Sequence, residues 1–136
     1  MPSAQEFPTQ IDELLPQAWQ AGVSRWQDLA GIAELFEVGL TALEGGKRTR
    51  ARLAYTGWKA IRASTATPPK PVLDLGVALE IYQASALVHD DIIDNSVLRR
   101  GKDAAHISFT KRHLAAQRPG DHQEYGRLAA ILLGDL

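Results

Sequence analysis

The stretch from Val72 to Asn95 restricts the fold more than any other. Within it Leu79, Gln83, Leu87, Asp90 and Asp94 recur at steps of three or four, so a helix over this range places them along one face. The stripe expected to be buried therefore turns acidic in its last turns. Such a helix needs neighbours that cover its apolar start and a positive charge that offsets its end.

Three carboxylates, Asp90, Asp91 and Asp94, lie within five residues, and Arg99 and Arg100 follow shortly after. Like charges at i and i+4 on a helix repel by a few tenths of a kcal/mol when solvated (roughly 0.2–0.5) and by more in a cleft. A cation is expected between them. Mg²⁺ suits the site because it takes oxygen ligands and commonly shares its shell among one or two carboxylates, waters and substrate phosphates. The two arginines supply planar donors that match phosphate oxygens. The plainer reading is an acidic helix end with surface salt bridges, each worth about 0–1 kcal/mol.

With 136 residues, 45% of them hydrophobic, the chain can build one domain with a real core. A formal net charge of −1 gives no overall attraction for nucleic acid, and any anion site must be local. No cysteine occurs, which excludes disulfides, thiolate metal sites and cysteine nucleophiles and fits a reducing compartment. The acidic lead MPSAQEFPTQIDELL is unlike a signal peptide. Glu80, Gln83 and the aspartates interrupt the apolar runs, so no membrane span is expected. These features predict a soluble, cytoplasmic protein.

The remaining periodicities are helical. Ile11, Leu14, Leu15, Ala18 and Trp19 predict a helix over Ile11–Ala21, with Pro16 as a kink or first-turn residue. Leu29, Ile32, Leu35, Phe36, Gly39, Leu40 and Leu43 predict a second over Trp26–Leu43, with a break near Gly31, ended by Gly45 and Gly46. A third is expected over Lys47–Ala63 with Ala54, Gly57, Trp58 and Ile61 inward and Arg48, Arg52, Lys59 and Arg62 on the other side. Ser64–Pro71 reads as a loop. After the acidic helix and a polar loop, Ile107–Ala116 and a segment capped by Asp121 complete an all-α chain with no convincing strand. Trp19, Trp26 and Trp58 are expected in the core. The final GRLAAILLGDL stops within its apolar stripe, which predicts a single all-α domain forming the N-terminal half of something longer.

The stretch GGKRTR, Gly45–Arg50, is the counterpart of the acidic helix. Glycines let an anion approach the backbone, and the first amides of the third helix and its dipole favour one there. Lys47 and Arg50 continue the face of Ala54, Gly57 and Ile61 and are expected to point inward, whereas Arg48 is expected to face solvent.

GGKRTR, followed about thirty residues later by ExxxxSALVHDDIIDNSxLRRG, resembles the short-loop trans-isoprenyl diphosphate synthases, the polyprenyl synthetase family, from roughly Ile32 onward. The resemblance implies the N-terminal part of an isoprenoid-synthase-type helical bundle and a head-to-tail condensation of isopentenyl diphosphate with an allylic diphosphate. It implies that Asp90 and Asp94 bind Mg²⁺ with Asp91 in support, and that Arg99 holds the allylic diphosphate. It assigns Lys47, Arg50 and Arg100, with Gln83 as a further donor, to isopentenyl diphosphate.

The resemblance also makes the side chains one and two turns before the first aspartate the floor of the tail cavity. Ser85 and Ala86 are small, and Tyr82 lies about 12 Å deeper than Asp90 at ~1.5 Å per residue, so a product longer than farnesyl, most readily geranylgeranyl diphosphate, is expected. Ala51 stands where the family usually has proline. The second aspartate-rich motif has no counterpart here, and the chain alone is expected to be inactive. The competing reading is a non-catalytic helical diphosphate-binding or regulatory subunit. Apolar faces left uncovered imply a homodimer or other self-association.

Overall fold

The computed structural model describes residues 6–62 and 67–136. The end of the third expected helix at Ala63 and the start of the loop that follows, 64–66, lie outside the described residues. Six helices carry the fold: α1 Glu6–Val23, α2 Ile32–Leu43, α3 Thr49–Arg62, α4 Lys70–Ile93, α5 Ala105–Ala115 and α6 His122–Asp135. The all-α expectation holds, with one addition. Residues 98–103, expected as loop, form a tight antiparallel ribbon of β1 Leu98–Arg99 and β2 Lys102–Asp103.

The hub is α4, which packs against α1, α2, α3, α5 and α6. Its length and average hydropathy alone are those of a helix able to cross a membrane, a test that the central helix of a bundle also meets. In the fold it is the shared wall of the bundle and buries the charged side chains of Glu80 and Asp91. Phe7, Ile11 and Leu15 of α1 are fully buried, and the Phe7 ring stacks on Tyr55 of α3 with centroids 4.5 Å apart. Trp19 donates its indole N–H to the Phe36 carbonyl at 3.0 Å, which ties α1 to α2.

Three predicted faces turn. The buried line of α4 is Gly76, Val77, Glu80, Val88, Asp91 and Ile92, while Asp90 and Asp94 are exposed. The buried side is rotated by roughly a quarter turn from the predicted stripe, whose Leu79, Gln83 and Leu87 are half-buried. On α3 the buried residues are Ala51 and Tyr55, with Ala54 and Trp58 half-buried, whereas Gly57 is exposed and Ile61 is 86% exposed. Trp26, expected in the core, sits in a short 3₁₀ turn and is exposed. That turn and Gly31, at φ +84, separate it from α2.

Candidate active site

The ribbon is what brings the two charged motifs together. Its two-residue connection, Arg100-Gly101, has φ values of +53 and +78, the pair of positive angles that a type I′ hairpin turn requires. A tight reversal there sends the neighbouring arginines to different walls. Arg99 reaches back to the end of α4, and Arg100 reaches across to the glycine loop before α3.

At the α4 end, Arg99 Nε donates to Asp91 Oδ1 at 2.9 Å and to Oδ2 at 3.1 Å, and Nη2 also bonds Asp91. Nη2 lies 3.3 Å from Asp90 Oδ2. Hydrogen bonds to Asp91 hold the Arg99 guanidinium above its ordinary range, against partial burial, and the charges of Asp91 and Asp90 add to the effect. Asp91 is buried and its two oxygens are occupied by this fork. In this structure Asp91, the residue expected to support a metal, accepts the Arg99 guanidinium.

Asp90, with a side chain 54% exposed, and Asp94, also exposed, stand one turn apart on the outer face. The Asp94 carboxylate has no hydrogen-bond or ion-pair partner among the described residues. No three acidic, histidine or cysteine side chains converge as a cage among the described residues. Two accessible carboxylates fit Mg²⁺, which completes its shell with water and phosphate oxygens.

On the opposite wall, Arg100 Nη1 donates to the carbonyls of Glu44 at 2.5 Å and Gly45 at 2.9 Å, and Lys102 pairs with Glu44. Lys47 and Arg50, expected to point inward, are exposed and have no partner among the described residues. Arg48, expected to face solvent, is buried. It lies three and seven positions before Ala51 and Tyr55, the buried residues of α3, although its own φ is +49 and α3 begins only at Thr49. Gln83 is half-buried on α4 with no partner among the described residues. A cleft of about 170 Å³ lies between α2, α4, the ribbon and α5, with Asp91, Arg99, Arg100 and Gly45 in its walls beside Ala84 and Leu87.

Tyr82 and Ala86 lie at i−8 and i−4 from Asp90 on the same exposed line, and Tyr82 is 70% exposed. Ser85 is placed differently. Its hydroxyl donates to the Gly134 carbonyl at 2.6 Å, at the α4–α6 contact. His89 also faces α6, with Nε2 3.2 Å from Asp135.

A model of the polyprenyl synthetase family matches residues 33–136. The chain belongs to the polyprenyl synthetase family. It is 35% identical over 135 residues to a probable farnesyl diphosphate synthase of Bradyrhizobium diazoefficiens, covering 90% of this chain and 35% of that protein. It is 30% identical to a geranylgeranyl diphosphate synthase of Methanosarcina mazei, over 92% of this chain and 29% of the relative. The crystal structure of geranylgeranyl pyrophosphate synthase from Corynebacterium glutamicum, complexed with isoprenyl diphosphate and magnesium, superposes with a TM-score of 0.87 at 32% identity, over 98% of this chain and 38% of that one. The chain thus spans about a third of the length of the curated relatives it matches.

In this polyprenyl synthetase chain, sequence reasoning missed two parts of the site. One is the ribbon, whose only local signal is the Arg-Gly pair at its turn. The other is Glu80, a lone acid amid the apolar residues of α4, which accepts the Ala51 amide at 3.3 Å. That amide, one of those expected to face an anion, is already satisfied by the protein. It is also a donor that proline at this position would lack.

Proposed function

We propose that this chain supplies the first aspartate-rich motif and the diphosphate-binding loop of a Mg²⁺-dependent prenyltransferase that condenses isopentenyl diphosphate with an allylic diphosphate. The observation that carries the reading is the ribbon. Adjacent residues Arg99 and Arg100 tie the acidic end of α4 to the GGKRTR loop, so groups far apart in sequence face one reaction space.

Loss of diphosphate from the allylic substrate builds negative charge on the leaving group. Mg²⁺, when bound, would offset that charge. Asp90 and Asp94 would hold it, each through an oxygen the fold leaves accessible. Arg99 would add a fixed donor, kept charged and oriented by Asp91, whose placement costs no reorganisation as charge develops. Lys47, Arg50 and Arg100, with Gln83, would hold the diphosphate of isopentenyl diphosphate. The double bond is then positioned to attack the allylic carbocation, and proton loss completes the condensation.

The growing tail would run along Ala86 toward Tyr82. Ala86 is small, and Ser85 is turned to α6, so Tyr82 is the first bulky side chain on that line. We assign the product as longer than farnesyl, with geranylgeranyl diphosphate the best fit. Relatives include both farnesyl and geranylgeranyl synthases, so family membership leaves product length to these side chains. Because the relatives are synthases, they do not favour a non-catalytic diphosphate-binding subunit.

In the synthase that carries this chain, Asp90→Ala and Asp94→Ala should each lower turnover of the two diphosphates by orders of magnitude. A near-normal kcat in either variant would refute the metal role.

A further inference from the structure

Arg48 takes no part in the chemistry above, yet three elements converge on its guanidinium, which is 5% exposed. Nε donates to Asp12 Oδ1 of α1 at 2.7 Å, Nη2 to the Leu43 carbonyl at the end of α2 at 2.8 Å, and Nη1 to Glu80 Oε2 of α4 at 3.3 Å. The second oxygen of Glu80, itself 7% exposed, accepts the Ala51 amide in the first turn of α3. One network, buried at Arg48 and Glu80, therefore clamps the chain on both sides of Lys47 and Arg50.

Arg48 also has φ +49, a conformation that a side-chain-bearing residue keeps only when its surroundings hold it. Buried ion pairs contribute little net stability compared with apolar packing, so stability alone is a weak reason for such a network.

We infer that Arg48 is a positioning residue for the diphosphate-binding cations Lys47 and Arg50. The inference rests on the diphosphate reading of the GGKRTR loop. Lys47 and Arg50 are exposed and unpartnered among the described residues, so their side chains must be ordered when an anion arrives. Fixing the backbone between them beforehand removes part of that cost. Arg48 also neutralises Asp12 and Glu80, whose charges would otherwise repel an anion at the adjacent loop. Lysine cannot do the same, because a single ammonium does not span three acceptors held by different elements.

The test is calorimetric titration of the chain with inorganic pyrophosphate, comparing wild type, K47A, R48K and the double variant, with helix content followed by circular dichroism. K47A should weaken binding about tenfold, the loss of one charge-assisted contact. R48K should weaken it to a similar degree while keeping native helicity. In the R48K background, K47A should then cost less than about threefold, because coupled residues are not additive.

Wild-type affinity in R48K, or full additivity in the double variant, overturns the positioning role and leaves the diphosphate reading standing. An unaffected K47A, or no pyrophosphate binding by the wild type, overturns the diphosphate reading and the positioning role with it. If R48K loses native helicity, D12N replaces it, since the Asp12 side chain is 54% exposed and its carboxylate is the most accessible part of the network. D12N should bind pyrophosphate about threefold more weakly with the same non-additivity toward K47A, and wild-type affinity there overturns the inference equally.

Discussion

Gly46→Ala separates backbone strain from site chemistry. Gly46 has φ +100, and a Cβ built there would stand 3.0 Å from Arg100 Nη2 and 3.1 Å from Cζ. Gly120 has nearly the same backbone, φ +98, with nothing within 4 Å of a Cβ. The left-handed conformation should cost alanine about 2 kcal/mol at either position. The stiffer unfolded chain returns roughly 0.5 kcal/mol, leaving about 1.5 kcal/mol. With m near 1.5 kcal/mol/M, the urea midpoint should fall by about 1 M in both variants.

Only Gly46→Ala also displaces the Arg100 guanidinium from the carbonyls of Glu44 and Gly45. Its end is flexible and moves at little further cost in stability, but the cation leaves its place on the diphosphate wall. Pyrophosphate affinity should therefore fall about tenfold in Gly46→Ala and stay unchanged in Gly120→Ala. Equal affinities in the two variants would refute the placement of Arg100 in the diphosphate site. A wild-type urea midpoint for Gly46→Ala would refute the backbone argument.

Product analysis tests the floor: in the synthase that carries this chain, Tyr82→Ala should lengthen the prenyl product and Ala86→Phe should shorten it, and unchanged chromatograms would remove both residues from the tail cavity. His106 supplies a pH dependence. Burial lowers its pKa, the charge of Asp91 opposes this and that of Arg127 reinforces it, and its Nδ1 is buried without a partner. The unfolded state then binds the proton first, so stability should decline as pH drops below about 6.5. Urea titrations at pH 7 and pH 5.5 should show a smaller decline in His106→Phe, and an equal decline would assign the effect elsewhere. Exposed Tyr82, Ile93, Leu128, Leu132 and Leu136 predict self-association, and a strict monomer by light scattering at micromolar concentration would count against it.

The helices were legible in the sequence because periodicity and stop signals are local. The acidic helix of α4, the cap of α6 by Asp121, which accepts the amides of Gln123 and Glu124, and the break at Gly31 all follow from residues within a few positions of one another. Orientation was less legible. The α3 face was drawn through Ala54, Gly57 and Ile61, whereas Ala51 and Tyr55 are the buried residues; counting back three and seven positions from them leads to Arg48, and choosing the wrong face reversed the assignments of Arg48 and Lys47. The stripe on α4 was drawn as a single line, whereas a helix enclosed by five others buries whichever side its partners occupy, and Glu80 and Asp91 can go inside because Arg48 and Arg99 meet them there.

The sequence by itself determined that the chain is helical, that carboxylates end its central helix, and that a glycine-flanked basic loop precedes α3. Each is a property of spacing and of side-chain chemistry. Only the tertiary structure decided how these cations are divided: Arg48 is buried among its acceptors, Arg99 is fixed by Asp91 with part of its side chain exposed, and Lys47 and Arg50 are left exposed. Nothing local encodes that division. It depends on Asp12 and Glu80, which reach Arg48 from α1 and α4, and on a two-residue turn that sends Arg99 and Arg100 to different walls.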